Sequence, residues 1–173
     1  MEKVILVDAQ DQPIGEVEKL EAHEKGMLHR AFSVFIFNEK NELLLQKRAS
    51  SKYHSGGLWS NSCCSHPRIG ENIRDAGQRR LQEELGFTTD LSFIFSFIYQ
   101  AELDHGLTEH EFDHVLIGHY SEPPNLNPEE VEDWRYISME EIEENIKQTP
   151  DDYTIWFKVI FDRVKTVLAE HTK

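Results

Sequence analysis

Cysteine is scarce in this chain, and its two cysteines, Cys63 and Cys64, are adjacent. Neighbouring residues of a β-strand point to opposite faces, so we expect no structural disulfide between these two thiols. Free thiols are typical of proteins from reducing compartments. The cysteine content therefore predicts two free thiols and a cytoplasmic location.

Long apolar runs are also missing from the sequence. None approaches the roughly 20 residues that a membrane-spanning helix needs. The run Met1-Glu2-Lys3-Val4 leads directly into a strand-like segment and carries none of the features of a signal peptide. Repeats, low-complexity segments and domain boundaries are absent too. We therefore expect a soluble protein with one domain over residues 1–173.

Basic residues are few, since 18 lysines and arginines stand against 32 aspartates and glutamates, giving a net charge of −14. Such a surface is not expected to bind nucleic acid or an anionic membrane. A cleft lined by arginine and lysine can nevertheless hold a small phosphorylated ligand. We therefore expect a small-molecule partner. The sequence leaves the oligomeric state open, and a monomer is consistent with it.

The chain has enough apolar residues for a packed core, with 39% hydrophobic residues and ten phenylalanines. Gly86 stands at the expected C-terminus of a helix, and Ser138 with Glu141 forms a capping-box pattern at the start of another. The closing helix has Ile155, Val159, Val164 and Leu168 among its apolar positions. The pattern predicts an α/β (α+β) fold with a central sheet. Strands are expected at residues 4–7, 16–19, 29–37, 42–47, 93–100, 109–120 and 134–137, and helices at 72–85, 138–148 and 153–169.

Two stretches carry chemistry. Cys64 and His66 lie two residues apart just before a helix with paired arginines and glutamates. Glu109 and Glu111 lie two apart in a predicted strand, so both carboxylates project from one face. A cation would relieve the repulsion between them, although a solvated acidic strand is the plainer explanation. Thiol, imidazole, carboxylate and guanidinium together suit a metal-assisted site for an anionic substrate.

The helix and the loop before it resemble a Nudix box with two altered positions. Ser65 stands where the box normally opens with glycine, and Arg80 stands where a metal-binding glutamate normally follows the arginine. The residues that keep the spacing of the box are Glu71, Arg79, Glu83, Glu84, Gly86 and Phe87.

Taken with further runs, this altered box resembles the type I isopentenyl-diphosphate isomerases from the His23 segment to Trp156. The resemblance implies a Nudix fold, a central mixed β-sheet flanked by helices. It also implies divalent-metal-dependent isomerisation of isopentenyl diphosphate to dimethylallyl diphosphate by protonation and deprotonation, a step of isoprenoid biosynthesis. The runs that carry it are Leu28-His29-Arg30-Ala31-Phe32-Ser33, Trp59-Ser60-Asn61-Ser62, Cys64-Ser65-His66-Pro67 and Glu109-His110-Glu111.

The resemblance also implies two metal sites. The first suits Mn²⁺, Mg²⁺ or Zn²⁺. At the second, Glu84 and the main-chain carbonyl of Cys64 would hold Mg²⁺ together with the substrate diphosphate. An ion pair with Arg80, four residues earlier on the helix, is the plainer explanation for Glu84. The protein ligands implied for the first site are His23, His29, His66, Glu109 and Glu111.

Catalytic and substrate-binding roles follow from the same resemblance. Cys64 and Glu111 would transfer protons, Tyr99 would hydrogen-bond Glu111, and Trp156 would face the carbocation with its inert ring. For Cys64, Tyr99 and Trp156 the competing explanation is an ordinary core position. The diphosphate would be gripped by Lys19, Arg48, Lys52 and Arg80.

Two other functions stay open from the sequence. A Nudix hydrolase of a small diphosphate would use Glu71, Arg79, Glu83 and Glu84, but Arg80 in place of a metal-binding carboxylate disfavours attack by water. A non-catalytic ligand-binding Nudix domain would bind without turnover. The combined motifs favour the isomerase.

Overall fold

The structure is a computed structural model that describes residues 2–52 and 54–171. Over these residues the chain forms one sheet of nine strands, four α-helices and two short 3₁₀ turns. The strands are β1 Lys3–Val7, β2 Pro13–Glu18, β3 His29–Phe37, β4 Glu42–Arg48, β5 Trp59–Ser60, β6 Cys63–Ser65, β7 Ser92–Glu102, β8 Thr108–His119 and β9 Val131–Ser138. The helices are α1 Lys19–Lys25, α2 Ile73–Leu85, α3 Met139–Gln148 and α4 Ile155–His171.

Strand β3 is the centre of the sheet. It runs parallel to β8 from His29 opposite Glu111 to Phe37 opposite His119. It is antiparallel to β1, β4 and β6. All but one residue of β3 is buried, as expected for a strand in parallel pairing that is covered on both faces. Strand β7 pairs with β8, and β9 pairs with β4.

The sheet has a hydrophobic core on each side. One core includes Phe35 and Val115 of the sheet with Phe157 and Phe161 of α4. The other joins Val34 and the rest of its side of the sheet to buried residues of α2. Alternate side chains of β3 supply the two cores, because successive residues of a strand point to opposite faces.

Several predictions from the sequence are confirmed here. Gly86 adopts a left-handed conformation with φ 72° after α2. The Ser138 side chain accepts a hydrogen bond from the Glu141 backbone N–H at the start of α3. Both cysteines are free thiols. Among the described residues no helix has the length and apolar character needed to cross a bilayer.

The pattern in the sequence misplaced one strand end and part of one helix face, and it left three short elements unpredicted. Strand β2 ends at Glu18, and Lys19 begins a helix, α1, that the sequence pattern did not predict. The short strands β5 and β6 were also missed. In α4, Val164 is buried, but Ile155 and Val159 are 39% and 41% exposed, because other residues of the helix supply most of the buried face. The buried residues of α4 are Trp156, Phe157, Ile160, Phe161 and Val164.

Candidate active site

Three imidazoles and two carboxylates converge beside β3 and β8. One ligand atom from each lies within 4.8 Å of the others. The sheet builds most of this cluster: β8 presents Glu109 and Glu111 on one face, and the β3–β8 register sets His29 opposite Glu111. His66 follows β6, which pairs with β3. His23 comes from α1, so the helix that the sequence did not reveal completes the cluster.

The ring nitrogens of two of these histidines are oriented by backbone carbonyls. Nδ1 of His23 is 2.8 Å from the Lys19 carbonyl oxygen, and Nδ1 of His29 is 2.9 Å from that of Met27. When Nδ1–H donates to a carbonyl, Nε2 keeps its lone pair for a metal. Each Nε2 does point inward: that of His23 is 3.0 Å from Glu109 Oε1, and that of His29 is 3.2 Å from His66 Nε2.

Burial and mutual contact shift the titration of both carboxyl groups. Burial and the neighbouring Glu111 raise the pKa of Glu109. Burial would also raise the pKa of Glu111, but hydrogen bonds from Glu109, His29 and Tyr99 outweigh it and lower that pKa to about 2. Burial, followed by the charge of His29, holds the pKa of His66 well below its usual value. Two buried carboxyl groups and three imidazole nitrogens directed at one point fit a divalent cation.

Tyr99 lies on the edge strand β7 opposite Glu111. Its hydroxyl donates a 2.7 Å hydrogen bond to Glu111 Oε1, while Glu111 Oε2 is 3.0 Å from His66 Nε2. Burial and the Glu111 charge raise the pKa of Tyr99 well above its usual value. Tyr99 is therefore a neutral donor, and both oxygens of Glu111 are oriented.

The side chains of the two cysteines point to opposite faces of β6. Cys63 is fully buried, and its Sγ lies 3.2 Å from Glu84 Oε2 on the α2 side of the sheet. Cys64 is partly exposed, and its Sγ lies 3.0 Å from Asn61 Oδ1. Burial, and next the charge of Asp113, raise the pKa of Cys64 to about 12. Only Cys64 of the two lines the cleft beside the histidine cluster.

A cleft open to solvent brings the predicted site together. Every predicted site residue lines it except His29, which is fully buried and joins through the metal-ligand cluster. The cations that border the cleft are partly balanced by carboxylates that the sequence did not single out. Lys52 Nζ lies 2.6 Å from Glu130 Oε2, Arg80 lies 3.4 Å from the same oxygen, and Lys19 Nζ lies 3.2 Å from Glu2 Oε2.

Glu84 is buried where α2 meets the sheet, and both of its oxygens have donors. Gln46 Nε2 donates to Oε1 at 3.0 Å, and Arg80 Nη2 lies 2.9 Å from Oε2. The helical ion pair is therefore present, and the assignment of Glu84 to a metal stays a prediction. One residue before Arg80 on α2, Arg79 bridges Glu71 and Glu83.

Trp156 of α4 and the ring of His54 form an aromatic wall of the cleft. The Arg48 guanidinium carbon lies 5.0 Å from the centroid of the Trp156 ring, a cation–π distance. His54 meets the same ring edge-on at 5.7 Å. Burial, and next the charge of Arg48, lower the pKa of His54 to about 3, so it adds a neutral ring to the wall. The sequence reasoning missed His54, which has no motif around it.

The sequence of this chain is similar to known proteins over nearly its full length. The model of the family described as NUDIX domain matches residues 27–157. The chain is 51% identical over 161 residues to isopentenyl-diphosphate Delta-isomerase 2 of Photorhabdus laumondii, covering 93% of this chain and 91% of that protein. It is 51% identical over 177 residues to isopentenyl-diphosphate Delta-isomerase of Aliivibrio fischeri strain MJ11, covering 98% of each.

The fold of this chain is also similar to that of solved structures. A Deinococcus radiodurans protein superimposes with a TM-score of 0.78 at 18% identity, covering 94% of this chain and 98% of that one. A MutT protein of Methanosarcina mazei superimposes with a TM-score of 0.67 at 20% identity, covering 84% and 96%. At such identities the likeness concerns the fold alone.

Proposed function

Because the chain belongs to the NUDIX family and, within it, to the isopentenyl-diphosphate Delta-isomerases, we propose that its cleft interconverts isopentenyl diphosphate and dimethylallyl diphosphate. The observation that carries the proposal is one shared cleft. Cys64, Glu111 and Trp156 line it together with the four predicted diphosphate-binding cations, Lys19, Arg48, Lys52 and Arg80. The whole chain would act as one domain, in the cytoplasm, on a small diphosphate.

The five-residue cluster can hold a metal ion, and we assign it to Mn²⁺, Mg²⁺ or Zn²⁺. Its ligands would be His23, His29, His66, Glu109 and Glu111. A divalent cation there supplies positive charge that balances two buried carboxylates and adjusts the acidity of Glu111. Glu84, with the main-chain carbonyl of Cys64, is assigned to Mg²⁺ that arrives with the diphosphate.

Moving the double bond requires one proton to be added to the alkene and another to be removed from the neighbouring carbon. Cys64 and Glu111 are the two proton-transfer groups of the proposal, and Tyr99 orients Glu111 through its 2.7 Å hydrogen bond. The tertiary carbocation that forms between the two transfers needs a neighbour that cannot react with it. The ring of Trp156 meets that need, since an indole face attracts cations and does not capture them.

The diphosphate is proposed to stay intact because the chain grips it and does not direct water at it. Arg80 occupies the position of a hydrolase carboxylate and here contacts Glu84 and Glu130. An arriving diphosphate would compete with these carboxylates for the Arg80 and Lys52 side chains. Guanidinium and ammonium groups bind phosphate oxygens through charge-assisted hydrogen bonds.

The proposal is tested by incubating metal-loaded protein with isopentenyl diphosphate and identifying the products by proton and phosphorus NMR. Dimethylallyl diphosphate with an intact diphosphate is the expected product. Release of inorganic phosphate would instead favour a Nudix hydrolase, for which the Glu71–Arg79–Glu83 network is the supporting contact. Binding without any product would point to a non-catalytic domain.

A further inference from the structure

The Cys64 sulfur is held by two oxygen atoms that do not line the cleft. Its Sγ lies 3.0 Å from Asn61 Oδ1 and 3.7 Å from Ser33 Oγ. Asn61 is fully buried and Ser33 is 2% exposed. A thiol can donate only one hydrogen. Whether each of these two oxygens accepts a hydrogen bond therefore decides how the Cys64 side chain is oriented.

Asn61 is fixed in a single orientation by the backbone around it. Its Nδ2 donates to the carbonyl oxygens of Val34 and Cys63, each at 3.0 Å. Both amide hydrogens are thereby used, and the amide cannot flip without losing two buried hydrogen bonds. Its Oδ1 therefore accepts, and it receives the Cys64 thiol together with the Ser60 hydroxyl at 3.0 Å.

Ser33 is oriented by Asp113. The Ser33 hydroxyl donates its hydrogen to Asp113 Oδ2 at 2.8 Å, which leaves an oxygen lone pair for the Cys64 thiol. The sheet enforces this arrangement, because Ser33 pairs with Cys64 across β3 and β6, and Asp113 lies on the neighbouring strand β8. Asp113 is fully buried, and its Oδ1 has no hydrogen-bond partner among the described residues.

Asp113 is not among the residues that have a role in the proposed reaction. A fully buried carboxyl group with one oxygen unsatisfied is costly to keep. Its side chain accepts a hydrogen bond from the Ser33 hydroxyl, and the Ser33 oxygen lies 3.7 Å from the Cys64 sulfur. A continuous series of contacts therefore runs from Asp113 through Ser33 to the Cys64 sulfur, which lines the cleft.

We propose that Asn61 and the Ser33–Asp113 pair are positioning residues that hold the Cys64 thiol as a hydrogen-bond donor on the cleft wall. The inference rests on the proposed function, in which Cys64 exchanges a proton with the alkene. Asn61 Oδ1 accepts the thiol hydrogen at 3.0 Å, and Ser33 Oγ lies beside the sulfur at 3.7 Å. Together they restrict rotation of the Cys64 side chain and set where its sulfur meets the substrate. Small displacements of a reacting group reduce rates strongly.

Asp113→Asn tests the inference because it changes the direction of one hydrogen bond at nearly constant shape. An unpaired buried N–H is less tolerated than an unpaired carbonyl, so the new amide directs its N–H to Ser33 Oγ. The Ser33 hydroxyl hydrogen then turns toward the Cys64 sulfur. We expect kcat to fall about tenfold, with KM within about twofold, because one hydrogen bond at the reacting group is reversed.

Alkylation of the thiols supplies a readout that does not depend on turnover. In metal-loaded Asp113→Asn protein, iodoacetamide should modify Cys64 faster than in the wild type, since a hydroxyl donor now stabilises charge on sulfur. Fragment-ion mass spectrometry distinguishes Cys64 from buried Cys63, the internal reference. Adding Ser33→Ala removes that donor, so alkylation should return toward the wild-type rate. Asp162→Asn, an exposed change on α4, is the matched control and should leave both readouts unchanged.

A purely structural role for Asp113 gives a different pattern. The two substitutions would then lower stability and kcat additively, with unchanged Cys64 alkylation, and that result would overturn the inference. If Asp113→Asn does not fold, Ser33→Ala alone decides: we expect a loss of about fivefold in kcat at constant KM, and full retention of kcat would contradict us. A wild-type protein that does not isomerise defeats the proposed function instead, while the alkylation rates still report the hydrogen bonds.

Discussion

His29 stands directly opposite Glu111 in the parallel pairing of β3 and β8, and its Nε2 lies 3.4 Å from Glu111 Oε2. The candidate metal centre is therefore part of the sheet itself. A one-residue slip in this register would turn Glu109 and Glu111 to the opposite face. The nine-residue pairing of two buried strands thus sets the ligand geometry together with the fold.

Glu109→Gln should weaken metal binding without unfolding the sheet. The change removes one carboxylate from the cluster and keeps the side-chain shape. Since loss of an outer-shell partner alone costs about tenfold or more in affinity, loss of a ligand should cost at least that much. Metal content after dialysis and titration with Mn²⁺ measure the effect. Glu102→Gln, an exposed change near the end of β7, is the control and should bind metal normally.

Tyr99→Phe should lower kcat while leaving the metal content unchanged. The substitution deletes the hydroxyl that donates to Glu111 Oε1 at 2.7 Å and preserves the ring packed in the core. Loss of a hydrogen bond to a charged group corresponds to roughly tenfold or more in rate. Steady-state kinetics with metal analysis decides the point. An unchanged kcat would show that Glu111 is oriented without Tyr99.

Arg80→Gln should act mainly on substrate affinity. The guanidinium borders the cleft beside Glu84 and Glu130, where the diphosphate is proposed to bind. We expect KM to rise about tenfold or more, because charge-assisted hydrogen bonds to phosphate are lost. Arg74→Gln, an exposed change on the same helix, should leave KM unchanged. Equal KM values for Arg80→Gln and Arg74→Gln would show that Arg80 does not bind the diphosphate.

Glu71→Gln should alter the pH dependence of stability in acid. The hydrogen bond from Arg79 lowers the pKa of Glu71 in the folded state. A group whose pKa is lowered by folding stabilises above its unfolded pKa, about 4.3 for glutamate, and loses that contribution as the pH falls further. Wild type should therefore be more stable than the variant at pH 6, and the difference should shrink below about pH 4.3. Urea unfolding across this range measures it, with Glu129→Gln, an exposed change, as control. A difference that stays constant with pH would contradict the ion-pair explanation.

Much of the sheet could be predicted from the sequence because its strands are long and rich in β-branched and aromatic residues. Strand β3 was predicted with its observed bounds, and the two glutamates of β8 were assigned to one face. The elements that were missed are short. Strands β5 and β6 have two and three residues, and they are set by pairing with β4 and β3 and not by their own pattern.

Helix α1 was missed for a related reason. Its seven residues contain few apolar positions, and it follows a predicted strand without a side-chain cap. Its C-terminus at Gly26, with φ 63°, is the one strong local signal. Tertiary contacts supply the rest, since His23 is buried against Glu109.

The roles predicted for the site residues came from the resemblance to a known family, whereas the contacts of these residues could not be predicted from the sequence. Glu2 and Glu130 border the cations of the cleft, and neither belongs to a motif. Asp113 follows the two glutamates on the same face of β8, yet only the β3–β8 pairing reveals its contact with Ser33. Long-range partners of this kind depend on which strands become neighbours, which a single sequence does not state.

The most direct test of the central claim is deuterium incorporation from D₂O into the two isomers, followed by proton NMR with metal-loaded wild type and Cys64→Ala. We expect wild type to form deuterated dimethylallyl diphosphate. The variant should be slower by about 10² to 10⁴, as expected when a general acid–base group is removed. Cys63→Ala, which alters a thiol outside the cleft, should keep far more activity than Cys64→Ala. Full activity in Cys64→Ala, or product without deuterium, would contradict proton transfer through Cys64.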